Sequence, residues 1–499
     1  MSNTMTELRA AYGEIADLRA AMGLLEWDQQ THMPKEGFAT RGRVVATLAQ
    51  IAHERYLSPR FDELVAAAEA EAPPGDDAIT LDLLRWERDR ERRIPATLVE
   101  ENSLAVTASY QAWEEARKTK DFAQFAPHLE KVVALRRRFA DHYGYDAHPW
   151  DALVPGFERG MTAALIKPVF DKVQPRVTAL LKAIQSKGPA HDLSFLDQRW
   201  DPDAQWAFGM RVLADLGFDL ARGRQDRSTH PFTMGMAPTD VRLTTRLKAE
   251  SLFSALMATA HEGGHGLYEQ GFRPEDARTP LGHAPSSAVH ESQARLYEYR
   301  VAACLPFWRH YAPVLREHFP GQLDNVSAEQ LYAAINEVSA SFIRVDADEV
   351  TYPLHIILRF ELELELIAGT LAVRDLPEAW NAKMRAYLGI TPPDPVLGCM
   401  QDVHWAEALF GYFPSYSLGT MFGAMFMEKM EADHPSLWTD MEAGDFRPVL
   451  GWLRRNVHTV GSRMKPLELV RAATGREFTP EPFLHYLEAK YTELYRLGG

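Results

Sequence analysis

Cysteine is nearly absent from this chain: Cys304 and Cys399 are the only two in 499 residues. Two cysteines cannot build a disulfide framework, and they suit a reducing compartment. Long apolar runs are missing too, since none reaches the roughly 18 residues of a membrane span. The opening segment, MSNTMTELRAAYGEIADLRAAMG, has neither the basic nor the apolar stretch of a signal peptide. Positive charge is in deficit, with 54 Lys and Arg against 69 Asp and Glu and a formal net charge of −15. That balance argues against nucleic acid or an anionic membrane as the main partner. Internal repeats and low-complexity stretches are also lacking. What these absences leave is an ordinary soluble globular chain, expected in the cytoplasm, with 46% hydrophobic and 25% charged residues.

Helical periodicity dominates what is there. Leu8, Tyr12, Ile15, Leu18, Met22 and Leu25 recur three and four apart, one buried helical stripe. Further helices are expected over roughly 41–57, 97–118, 123–142, 163–186 and 203–216, and EAEAPPGDD (69–77) reads as a linker. The rhythm lapses once, over 228–247. Val241, Leu243 and Thr245 alternate there with Arg242, Thr244 and Arg246, a period of two. The spacing predicts a small antiparallel hairpin just before HEGGH (261–265), in an otherwise mainly α protein.

HEGGH is the first chemical signal. Residues four apart share a helix face, so His261 and His265 point the same way, about 6 Å apart in rise. Two imidazoles so placed can bind one zinc ion, with Glu262 beside them as general base. By chance such a motif is expected only about 0.05 times in a chain of this composition. Catalytic zinc usually takes three protein ligands and one water. The long zincin signature needs Gly and His at 268 and 271, where this chain has Tyr268 and Gly271, so that class is excluded. Glu269 lies about 12 Å along the axis from His261 and is too far to ligate.

The third ligand is therefore sought in SSAVHESQARLYEYR (286–300), where Ser286 and Ser287 offer helix caps. Glu291 is the leading candidate and Glu298 the alternative, with Glu269 and His290 as outer partners of the ligands.

Beyond HEGGH, four more segments stand in order: DVRLT (240–244), HESQ (290–293), IRVDAD (343–348) and GCMQDVHW (398–405). With LEWDQQTHMPKEGFATRG (25–42), they make the chain resemble the carboxypeptidase Taq family of metallocarboxypeptidases. The resemblance covers nearly the whole chain. It implies a mainly helical, saddle-shaped homodimer with a deep groove, acting on peptides with a free C-terminus. It also implies one zinc or cobalt ion per chain on His261, His265 and Glu291, with Glu262 catalytic. On this reading 1–499 is a single peptidase unit, with lobes over 1–225 and 226–499 flanking the groove.

Several residues fit that activity on their own chemistry. An arginine fork binds a terminal carboxylate bidentately, and Arg344, read as part of a helix, is the first choice. The alternative is an ion pair with Asp346 or Asp348. Asp240, Arg242 and Thr244 share one strand face, expected toward the groove, and the strand edge could pair with an extended substrate. His404, Tyr412 or Tyr416 could stabilise the oxyanion. Tyr416 is preferred, because a tyrosine-rich segment here resembles that of related helical metallopeptidases. Gln401 and Asp402 either orient His404 or line the groove. Two rivals share these features: an oligopeptidase cutting internal bonds, and a helical binding protein with a degenerate site. The glycines of HEGGH have two explanations, room for substrate at the metal or close packing of the Glu291 helix.

Overall fold

The computed structural model describes residues 3–188 and 191–497. The helices fall where the periodicity places them. The first runs over Asn3–Thr31, followed by Phe38–Tyr56, Pro59–Ala70 and Asp76–Arg93. Ala96–Thr119, Phe122–Tyr143, Ala163–Lys187 and Pro202–Asp215 come next. Met5, Leu8, Tyr12 and Ile15 of the first helix pack with Phe61, Leu64, Leu81 and Leu84 in a small core of their own. Nearly every other buried apolar side chain, from Ile94 to Tyr495, joins one large core. The small core ends with Leu84, and the large one takes its residues from Ile94 on.

The sheet is larger than a hairpin. Strands β1 (Gly223–Arg227), β2 (Thr233–Ala237) and β3 (Asp240–Thr245) are ordered β1-β3-β2. The antiparallel β2–β3 pair is the expected hairpin, while β1 adds a parallel partner on the other side of β3. The sequence of β1, Gly-Arg-Gln-Asp-Arg, has no apolar alternation to announce a strand. Its presence corrects one expectation. With both edges of β3 taken, no substrate can pair along that strand.

Four later helices carry the chemistry. Ser254–Glu269 bears HEGGH, and Ser287–Arg295 bears Glu291. The latter opens as a π-helix over Leu296–Ala302. Tyr352–Ala368 and Pro414–Asp433 close the site from the far side. Close approach of these helices depends on glycine. A Cβ on Gly264 would stand 2.6 Å from the Gln293 carbonyl oxygen, and one on Gly419 would stand 2.8 Å from the Glu291 Cβ. Real Cβ atoms do not come so near. Gly264 therefore answers to packing against the Glu291 helix, and Gly263 faces Leu213 rather than open space.

Candidate active site

The Glu291 helix starts at Ser286, whose hydroxyl accepts from the Val289 N–H at 3.2 Å. Glu158, fully buried, accepts from the Ala288 N–H at 2.6 Å and from the Ser415 hydroxyl at 2.7 Å. One side chain thus ties the ligand helix to the helix of Tyr416. From this anchored start Glu291 reaches the histidine pair. Its Oε2 lies 3.6 Å from His265 Nε2 and 4.0 Å from His261 Nε2. Ligand atoms of the three residues all fall within 4.8 Å of one another.

Outer partners hold each ligand in orientation. His261 Nδ1 lies 2.8 Å from Glu298 Oε2, and His265 Nδ1 donates to the His290 carbonyl oxygen at 3.1 Å. Both rings therefore turn Nε2 toward Glu291. The π turn brings Glu298 onto His261, the place where sequence spacing offered it only as a rival ligand. His290 stacks on His265 at 4.2 Å between ring centres, and Glu269 meets its Nε2 at 2.9 Å. Arg295, one turn beyond Glu291, donates to Glu291 Oε1 at 2.6 Å and to Glu298 Oε2 at 3.0 Å. It lies 4.3 Å over the Tyr352 ring. Sequence reasoning missed Arg295, although its position four residues after Glu291 puts it on the same face.

The electrostatics suit a cation. Burial pulls the His261 imidazole down, but the carboxylates of Glu291 and Glu298 more than reverse it, up to about 9. Burial lowers His265, helped by its neighbours His290 and His261. Two imidazoles and one carboxylate, each oriented from behind, fit a divalent metal such as zinc. Glu262 is buried beside them, and the Thr233 hydroxyl donates to its Oε2 at 2.6 Å. Burial raises the Glu262 carboxyl; His261 and Thr233 oppose that. Thr233, on the outer strand β2, was also missed.

Two cavities meet at the ligand trio, and Glu291 lines both. One, of about 900 Å³, is walled by His261, Glu262, Arg295, Arg344, His404 and Tyr416. The other, of about 780 Å³, holds His265, Glu269, His290 and Tyr412 against Trp86 and Arg159.

Tyr416 O–H and His404 Nε2 stand 3.2 Å apart. Burial drives His404 down to about 4 and Tyr416 well above its ordinary value, so one is a neutral imidazole and the other a protonated phenol. Tyr412 packs edge-on to Tyr416 at 5.2 Å.

Arg344 sits on a 3-10 turn over Arg344–Asp346 and not in a helix; the helix begins only at Tyr352. Its partner is neither Asp346 nor Asp348. Nε and Nη2 donate to Asp402 Oδ1 at 3.1 and 2.8 Å, and Nη1 to the Tyr352 hydroxyl at 2.9 Å. A guanidinium has five N–H groups, so two remain on the Nη atoms. Asp402 also accepts from fully buried Arg359 at 2.8 Å; the two arginines outweigh burial and keep its carboxyl ionised. Gln401 Oε1 accepts from the Arg344 N–H and from Arg359, while its amide nitrogen serves Phe342, Leu397 and Gly398 carbonyls. Gln401 and Asp402 thus hold the arginines, and neither hydrogen-bonds His404.

The DVRLT residues lie elsewhere than expected. Arg242 pairs with Asp240 and covers the Trp27 ring at 4.4 Å, so both face the first helix. The Thr244 hydroxyl is buried, accepting from the Phe232 N–H at 2.9 Å. All three line neither cavity. That face of β3 packs against Trp27 of the first helix instead of the groove.

Comparison with known proteins decides what such a site is for. The sequence pattern of the carboxypeptidase Taq (M32) metallopeptidases matches residues 7–491. The chain belongs to this family. Thermostable carboxypeptidase 1 of Thermus thermophilus is 41% identical over 495 residues, covering 97% of both chains. Carboxypeptidase 1 of Bacillus subtilis is 36% identical over 485 residues, again with 97% of each covered. An M32 carboxypeptidase from Deinococcus radiodurans R1 superposes with a TM-score of 0.96 at 40% identity, over 99% of this chain and 100% of that one. This M32 protein is accordingly a metal-dependent carboxypeptidase acting on peptides. No helix among its described residues is long and apolar enough to cross a membrane.

Proposed function

We propose that Glu262 is the general base of a hydrolysis that releases one residue at a time from a free peptide C-terminus. His261, His265 and Glu291 hold the divalent ion, with zinc the first candidate and cobalt the second. When bound, that ion supplies Lewis acidity at the scissile carbonyl. Glu262 takes a proton from the attacking water and returns it to the leaving amine. The Tyr416 O–H donates to the developing oxyanion, with His404 orienting it from 3.2 Å. Arg344 anchors the terminal carboxylate with its two free N–H groups and so sets the register. One positive charge is left over in the Arg344, Arg359 and Asp402 trio, which favours an anion there. The reading rests on one observation above the others: Glu262, buried and held by Thr233, shares a cavity wall with His261, Glu291 and Tyr416.

The net charge of −15 supports peptides rather than nucleic acid or membranes as partners. Free Cys304 and Cys399 support a reducing, cytoplasmic setting. A homodimer of single peptidase units is the assembly that the family resemblance suggests. Glu262→Gln, assayed with its metal content measured, tests the central role. Loss of turnover at full metal occupancy is expected, and full turnover in the loaded variant sinks the assignment. Peptides with amidated C-termini should resist the enzyme; cleavage of their internal bonds moves the reading to an oligopeptidase.

A further inference from the structure

Five cations reach the larger cavity: Arg117, Arg246, Lys248, Arg295 and Arg344. Three have protein partners. Arg295 holds Glu291 and Glu298, Arg344 holds Asp402, and Arg117 stacks on Trp113 at 4.8 Å. Arg246 and Lys248 stand apart. Among the described residues neither side chain makes an ion pair or a hydrogen bond, and Arg246 Nε is buried without an acceptor. A buried donor left without an acceptor is destabilising, and an incoming acceptor relieves it.

The cavity's own acids do not relieve it. Glu262 is taken by Thr233, Glu291 and Glu298 by Arg295, and Asp402 by two arginines. Asp346 and Glu407 are exposed to solvent. Arg246 directly follows β3, and its neighbour Thr245 bonds the Ala255 carbonyl oxygen at 3.2 Å. The Thr245 hydroxyl also accepts from Thr259 at 3.3 Å, so Arg246 follows a residue held against the turns that lead into His261, and both line the same cavity. A peptide with a free C-terminus brings the missing anion.

We propose that Arg246, seconded by Lys248, holds a carboxylate of the residue being released and so helps set which residues are accepted. The inference rests on the carboxypeptidase activity and adds a specificity residue to it. A carboxylate can come from two sources, the terminal main chain or an acidic side chain, and matched peptides ending in Glu, Gln and Leu separate them. In the full-length, metal-loaded enzyme, Arg246→Met should raise KM roughly tenfold or more, as expected for a charge-assisted hydrogen bond. Little change in kcat should accompany it. A rise confined to the Glu peptide assigns the side chain, and an equal rise for all three assigns a share, beside Arg344, in holding the terminal carboxylate. Arg246→Lys should fall between Met and wild type. Unchanged KM for all three peptides in folded, loaded Arg246→Met overturns the proposal. Should that variant not fold, an unchanged KM in Arg246→Lys overturns it instead. A wild-type enzyme that releases no terminal residue fails the carboxypeptidase reading itself and takes this one with it.

Discussion

Thr233→Val tests the candidate site at its least obvious part. Valine keeps the shape and β-branching of threonine, so strand β2 has no reason to shift, and only the hydroxyl is lost. That hydroxyl has one proton and two acceptors within reach, Glu262 Oε2 at 2.6 Å and the Glu262 carbonyl oxygen at 3.1 Å. The shorter bond to the charged oxygen dominates. Hydrogen bonds to charged groups contribute about 1.5–3 kcal/mol, and each 1.36 kcal/mol is tenfold in rate. Even the lower figure predicts roughly a tenfold fall in kcat/KM, because a freed Glu262 must be brought back to the water at each turnover. Metal content should not change, since Thr233 touches none of the three ligands. Thr233→Ser, which restores the hydroxyl, should recover most of the activity. The assay is peptide release by variants whose metal content is measured on the same samples. Wild-type kcat/KM in fully loaded Thr233→Val would refute the idea that this bond positions the base.

Three further outcomes follow from the geometry. Glu298→Gln removes the charged partner of His261 Nδ1 and should weaken metal affinity ten- to a hundredfold in chelator competition; unchanged affinity contradicts its orienting role. Gly264→Ala drives a methyl into the Gln293 backbone, an overpacking cost of about 1–3 kcal/mol, whereas Gly263→Ala meets only the movable end of Leu213. The first should unfold at the lower temperature, and equal midpoints count against the packing account. Burial lifts the Glu158 carboxyl to about 7, so the folded state keeps a proton that the unfolded chain gives up from about 4.5. Its contribution therefore declines as pH rises through that window, by roughly 3 kcal/mol. Glu158→Gln, which cannot ionise, should gain stability relative to wild type between pH 4.5 and 7, and a flat difference refutes the shift.

Much of the fold could be read ahead because its signals are local. Helix periodicity gave Ala96–Thr119 and Ala163–Lys187 to within a residue or so, and the alternation of β3 gave the hairpin. What failed was set by distant partners. Strand β1 exists because β3 offers it a ladder, and nothing in its own five residues asks for one. Likewise the face of Arg242 and Asp240 is set by Trp27, a residue more than two hundred positions earlier. The helix over Arg344 failed for a related reason. Its backbone N–H is taken by the Gln401 side chain and its guanidinium by Asp402, so the segment answers to another loop.

The same division runs through the site. His261, Glu262 and His265 are legible because one helix turn places them. Glu291 came within reach because a helix with serine caps was already expected around it. The roles of the residues that make those four useful were missed for different reasons. Arg295 stands four residues after Glu291 on the same helix face and was simply overlooked, whereas Glu298 lies on the π extension, whose extra residue per turn no periodicity announces. Thr233 and Glu158 come from elsewhere in the chain; Thr233 acts through its bond to the Glu262 carboxylate, and Glu158 through bonds from the Ala288 N–H and the Ser415 hydroxyl. A threonine in a short strand and a glutamate in a loop carry no chemical signal by themselves. Only contact gives them one, so the motif identifies the reaction while the fold supplies the groups that orient it.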